Sequence, residues 1–70
     1  MEYIGDFVLE FKERGDAKRV YYSYRALLGV DKESVSWKGR RVSFENVGQI
    51  HGEGLEDIIN QQPLRPKKVK

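Results

Sequence analysis

Cysteine is absent from the chain, and histidine and tryptophan occur once each, as His51 and Trp37. Without cysteine, neither a disulfide nor a thiolate-bound metal can stabilise a chain of 70 residues. Burial of apolar surface must do so, helped where necessary by a partner or by self-association. A lone histidine rules out a histidine-rich metal site, and the missing thiol removes Cys-His chemistry. No run approaches the roughly 20 apolar residues that span a bilayer, and the opening M-E-Y-I-G-D lacks the basic start and apolar stretch of a secretory signal. These absences lead to the expectation of a soluble, cytoplasmic, non-enzymatic protein with no membrane span, cofactor or metal.

With 39% hydrophobic and 34% charged residues, the chain has material for one small core and no second domain. Both prolines, Pro63 and Pro66, lie at the C-terminal end beside Arg65, Lys67, Lys68 and Lys70. Removing those four cations from the formal net charge of +2 leaves residues 1–62 at −2. The expected organisation is therefore a β-rich domain over residues 1–62 and a flexible basic tail over residues 63–70. A phosphate-binding role has to rest on the tail or on segregation of charge within a mildly acidic body.

Residues 34–44, S-V-S-W-K-G-R-R-V-S-F, read as a β-hairpin. A two-residue turn at Lys38 and Gly39 sets Trp37 opposite Arg40 and Val35 opposite Val42. Val35, Trp37, Arg40, Val42 and Phe44 then share one face, and Ser34, Ser36, Arg41 and Ser43 the other. Residues 3–11 alternate as a strand, with Tyr3, Phe7, Leu9 and Phe11 on one side. Residues 13–16, with Gly15 before Asp16, suggest a turn. The run 17–29 is open to two readings. A helix places Val20, Tyr24, Leu27 and Leu28 on one face; a strand aligns Val20, Tyr22, Tyr24, Ala26 and Leu28, and the V-Y-Y-S-Y cluster favours it by propensity. The strand reading is adopted. Glu45 and Asn46 suggest a turn or bulge, residues 47–50 a short fifth strand, and Gly48, Gly52 and Gly54 a loose connection. Leu55, Ile58 and Ile59 have the spacing of a short amphipathic helix over residues 55–62, ended by Pro63. The expected fold is mainly β or α+β, a small antiparallel sheet or partly open barrel of four to five strands with one short C-terminal helix.

Two local resemblances lie in this region. V-S-W-K-G-R-R-V-S-F resembles the DNA-contacting hairpin of the small chromatin proteins of thermophilic archaea, which implies a DNA-facing Trp37. G-R-R-V-S-F-E-N-V-G-Q-I is similar to the hairpin and following strand of pleckstrin-like domains.

No constellation carries catalysis. His51 can be grouped with Glu45 or Glu53 and a hairpin serine, but no spacing supports a hydrolytic set, and a surface or packing role is the simpler reading. The glycines around His51 fit neither a Walker loop nor a dinucleotide fingerprint, and Glu53, Glu56 and Asp57 would repel a phosphate there. Aromatic residues flanked by cations are a different matter, because bases stack on rings while phosphates pair with lysine and arginine. Trp37, Lys38, Arg40 and Arg41 at the hairpin, Arg25 beside Tyr21, Tyr22 and Tyr24, and Lys67 and Lys68 in the tail are the candidate nucleic-acid contacts. Their competing roles are core packing for the rings, a cation–π pair for Arg40 on Trp37, and a solvated, proline-rich or targeting tail. The expected function is a non-catalytic binding module for DNA or RNA. Its alternative is a protein-interaction module or subunit of a larger assembly, in its simplest form a homodimer. Whether Arg14, Lys18, Arg19, Lys38, Arg40 and Arg41 gather on one face or scatter among the acids discriminates between these.

Overall fold

A computed structural model describes residues 3–69; Met1 and Glu2 of the expected domain and Lys70 of the expected tail lie outside them. The elements run β1 (Gly5–Glu10), α1 (Arg14–Arg25), β2 (Val35–Lys38), β3 (Arg41–Val47), α2 (Gln49–Asn60) and β4 (Lys67–Lys68), with a single 3₁₀ turn at Lys32–Ser34. The strands form one open antiparallel sheet in the order β2-β3-β1-β4. With this chain order, the arrangement is a split β-α-β fold of the α+β class.

The principal correction is α1. Of the residues expected to form a second strand, 17–25 are helical and 26–29 form the turn that follows, and the turn expected at residues 13–16 is largely the first turn of that helix. β-propensity loses because the sheet has an apolar face to cover. Ala17, Val20 and Tyr24 recur at helical spacing and bury themselves against Phe7, Leu9, Val42 and Phe44. A second correction concerns α2, which begins at Gln49 rather than Leu55. The expected fifth strand at residues 47–50 is the end of β3 and the first turn of this helix, so the sheet carries two helices, not one. Gly52 and Gly54, read as loop residues, lie inside α2 for reasons of space. A Cβ at Gly52 would overlap the backbone carbonyl of Tyr3, and one at Gly54 would come 2.9 Å from Leu27 Cδ1.

The hairpin is present in a different register. Val35 pairs with Phe44, Ser36 with Ser43, Trp37 with Val42 and Lys38 with Arg41, which places the turn at Gly39 and Arg40. Gly39 has φ +62°, and Arg40 is not in the positive-φ region. A II′ turn asks for glycine at its first central position, so the glycine selects this register over one with lysine there. Val35, Trp37, Val42 and Phe44 still share the helix-covered face, but Arg40 leaves that face for the turn. The expected irregularity at Glu45 and Asn46 is a bulge opposite Asp6, where the pairing steps from Phe7–Phe44 to Gly5–Val47. Asn46 takes φ +56° there, and its N–H donates to Asp6 Oδ1 at 2.9 Å.

Where the sequence suggests a flexible tail, Lys67 and Lys68 pair with Glu10 and Leu9 as β4, and the Val69 N–H donates to the Val8 carbonyl at 3.0 Å. No helix among the described residues is long and apolar enough to cross a membrane.

Candidate functional site

The end of the sheet at which β1 stops and β3 starts gathers cations from three separate parts of the chain. Glu10, Phe11, Lys12, Arg40, Arg65 and Lys67 line a cavity of about 220 Å³ there. Backbone pairing or a side-chain hydrogen bond positions these cations. The Phe11 N–H donates to the Arg40 carbonyl at 2.8 Å, which fixes the hairpin turn beside Lys12 as the chain leaves β1. β4 sets Lys67 opposite Glu10, and Arg65 Nη1 donates to Asn60 Oδ1 at 2.8 Å from the end of α2. The only carboxylate in the lining is Glu10, which Arg41 pairs at 3.0 Å through Nη2 and 3.2 Å through Nε. Four cations therefore face the cavity with no acid left unpaired among its lining residues, a field suited to an anion.

Next to this cavity is a cluster of rings at the edge formed by α1 and β2. Trp37 points to the helix side of the sheet, its Nε1–H donating to the Gly39 carbonyl at 2.7 Å, so the indole is tied to the turn that carries Arg40. Its ring lies 5.9 Å from Tyr21 and 6.3 Å from Tyr22, which are themselves edge to face at 5.0 Å. The Arg14 guanidinium sits 5.8 Å from the Trp37 ring centre, and that of Arg25 lies 5.1 Å from Tyr21 and 6.0 Å from Tyr22. Arg25 Nε is buried without a hydrogen-bond partner. This cation–π pair joins Trp37 to Arg14, not to Arg40.

The sequence candidates thus divide. Arg40 and Lys67 meet at the cavity; Trp37 and Arg25 belong to the ring cluster; Lys38 and Arg41 pair across the hairpin on the open face of the sheet. Lys68 lies on the other side of β4, its Nζ 5.1 Å from the Phe7 ring centre. Of the tyrosines, Tyr24 is core, edge to face with Phe44 at 5.0 Å, and its burial raises the hydroxyl pKa above 10.0. The outward positions of the three longer strands, Asp6, Val8, Glu10, Ser36, Lys38, Arg41, Ser43 and Glu45, include no aromatic residue. Sheet-face base stacking is therefore not available to this fold, and Trp37 does not occupy the outward position that a DNA-facing hairpin implies.

Lys12, Arg14 and Arg65 are site residues that the sequence candidates leave out. Lys12 directly follows the last inward residue of the first strand, which marks it as lying at a strand end, but only the sheet order brings it to Arg40. Arg19 is engaged elsewhere, bonding Asp16 at 3.2 Å and Gln62 Oε1 at 2.8 Å. The acids Glu53 and Asp57 are exposed on α2. His51 is half-buried on α2, its Nε2 3.0 Å from the Leu28 carbonyl, where it holds the segment that follows α1. No three His, Asp or Glu side chains gather as metal ligands among the described residues.

Comparison with protein families, with curated proteins and with solved structures finds no match.

Proposed function

We propose that the chain is a non-catalytic nucleic-acid-binding module that takes the phosphate backbone at the cationic end of its sheet. One observation carries this reading. Lys12, Arg40, Arg65 and Lys67 are scattered in sequence and converge on one cavity whose single carboxylate is already paired. Arg14 and Lys18 extend the charge along the exposed side of α1.

The test is binding of a labelled oligonucleotide across a salt series. If four phosphates are neutralised, the slope of log K against log[salt] is about −2.8 for a single strand and about −3.6 for a duplex. Each of Lys12→Gln, Arg40→Gln, Arg65→Gln and Lys67→Gln then flattens the slope by about 0.7 to 0.9. Lys32→Gln, at the opposite end of β2 from the hairpin turn, leaves it unchanged. A salt-independent interaction, or equal loss with Lys32→Gln, refutes the reading.

A second reading has its own observation. Leu28 is 96% exposed and Ile50 is 82% exposed, and both line a surface depression of about 590 Å³ with His51 and Glu53. Two large aliphatic side chains held out beside one another favour a protein-interaction module, in its simplest form a homodimer. Sedimentation at several concentrations, with Leu28→Asp as the disrupting variant, separates it from the first, since that surface lies at the far end of the sheet from the cationic cavity. A strict monomer at every concentration removes the self-associating form.

A further inference from the structure

Resting on the nucleic-acid reading above, we infer that the bound strand is single and that one of its bases stacks on Tyr22. Among the described residues Tyr22 is the only exposed aromatic, at 50%. The other tyrosines, the phenylalanines and Trp37 are buried or half-buried, so exposure at Tyr22 is not a general property of this surface. Nor is the ring free to turn at will. Tyr21 meets it edge to face at 5.0 Å with 71° between the planes, Trp37 does so at 6.3 Å and 64°, and the Arg25 guanidinium is 6.0 Å from its centre. Three neighbours thus hold a ring whose remaining surface faces solvent, which is the preorganisation that makes a stacking platform economical in entropy.

Its position relative to charge gives the path. Arg14, Lys18, Tyr22 and Arg25 succeed one another at helical spacing along one side of α1. Arg14 lies on Trp37, and Trp37 is bonded to the turn that carries Arg40 into the cavity. The eight residue steps from Arg14 to Tyr22 rise about 12 Å along the helix, a distance that a few nucleotides of backbone cover. A backbone seated at the cavity and followed along Arg14 and Lys18 therefore brings a base to Tyr22. A duplex offers no such base, because its rings are already stacked on one another. The sheet, whose longer strands show no outward ring, offers no competing platform.

The experiment compares three labelled probes, an oligothymidylate, its duplex with oligoadenylate, and an abasic strand of the same backbone. Each is titrated into the wild-type chain, Tyr22→Ala and Tyr22→Phe, with circular dichroism confirming the fold. The expected result is tighter binding of oligothymidylate than of the abasic strand. Tyr22→Ala weakens oligothymidylate binding by roughly 5- to 150-fold, the range of one base–aromatic stack, and Tyr22→Phe preserves it. Equal wild-type affinity for the oligothymidylate and the abasic strand overturns the stacking inference while leaving the cationic reading in place. Binding of none of the probes overturns the cationic reading as well. If Tyr22→Ala does not fold, the wild-type preference between the two single strands still decides the matter.

Discussion

Alanine at Gly52 and at Gly54 should shift stability in opposite directions, although the two residues are separated by one position in the same helix. Both are interior to α2, and neither has positive φ, so alanine fits the backbone at each and brings about 1 kcal/mol of helix propensity. The difference lies in what the new methyl meets. At Gly54 it approaches Leu27 Cδ1 at 2.9 Å, the far end of a half-buried side chain that can rotate aside. Gly54→Ala should therefore stabilise by up to about 1 kcal/mol, which raises Tm by about 4–8 °C in a domain of this size. At Gly52 the methyl would overlap the Tyr3 carbonyl, a backbone atom of a buried residue just ahead of β1. Relief requires α2 and β1 to separate, and overpacking of that kind costs up to about 3 kcal/mol. Net of the propensity gain, Gly52→Ala should destabilise by up to about 2 kcal/mol. Urea unfolding followed by the fluorescence of Trp37 would order the midpoints Gly54→Ala, wild type, Gly52→Ala. A Gly52→Ala chain as stable as wild type would refute the close approach of α2 to Tyr3, and with it the explanation of both glycines.

Asn46 holds φ +56° in the β3 bulge, so Asn46→Gly should be neutral or stabilising, whereas Asn46→Val should lower stability by about 1–2 kcal/mol in a thermal melt. The Tyr24 hydroxyl has its pKa raised above 10.0 by burial. The folded chain therefore keeps a proton that the unfolded chain releases as pH passes 10.0, so the contribution of this group to stability is level below that value and falls as pH rises above it. Denaturant titrations at increasing alkaline pH would show the decline, and Tyr24→Phe should remove this component of it. Glu10→Gln abolishes an exposed ion pair with Arg41 and should change stability by no more than about 1 kcal/mol. It also deletes the only carboxylate of the cationic cavity, so oligonucleotide affinity at low salt should rise; unchanged or weaker binding would argue against an anion seated there.

Strand alternation was legible where one face is buried and the other is not. Phe7, Leu9 and Phe11 in and around β1, and Val35, Val42 and Phe44 in the hairpin, can be read from the sequence because a period of two fits only one structure. The hairpin register was less legible, since two turns one residue apart leave the same residues facing inward, and only the φ demanded of Gly39 separates them. α1 was misread for a different reason. Tyr21, Tyr22 and Tyr24 satisfy strand propensity, and what overrides it is a tertiary requirement, the apolar face of the sheet that Val20 and Tyr24 cover. α2 was shortened because a glycine that makes room for the Tyr3 carbonyl looks, in sequence, like a glycine that frees a loop.

The candidate site was the least legible part, and the topology explains why. A chain that runs β-α-β-β-α-β with β1 between β3 and β4 returns to one end of the sheet three times: on leaving β1, at the β2–β3 turn and on approaching β4. Lys12, Arg40, Arg65 and Lys67 stand at those three passages. In sequence they come from three separate segments, and the net charge of residues 1–62 gives no hint of a basic surface. Folding sorts the charges unevenly, because Glu53 and Asp57 are exposed on α2 and Asp31 and Glu33 at the far end of β2, while four cations line one cavity at the strand ends. Net charge is thus a poor guide for a chain this small. What decides whether it can hold a phosphate backbone is how the order of its strands sorts a nearly balanced set of charges in space.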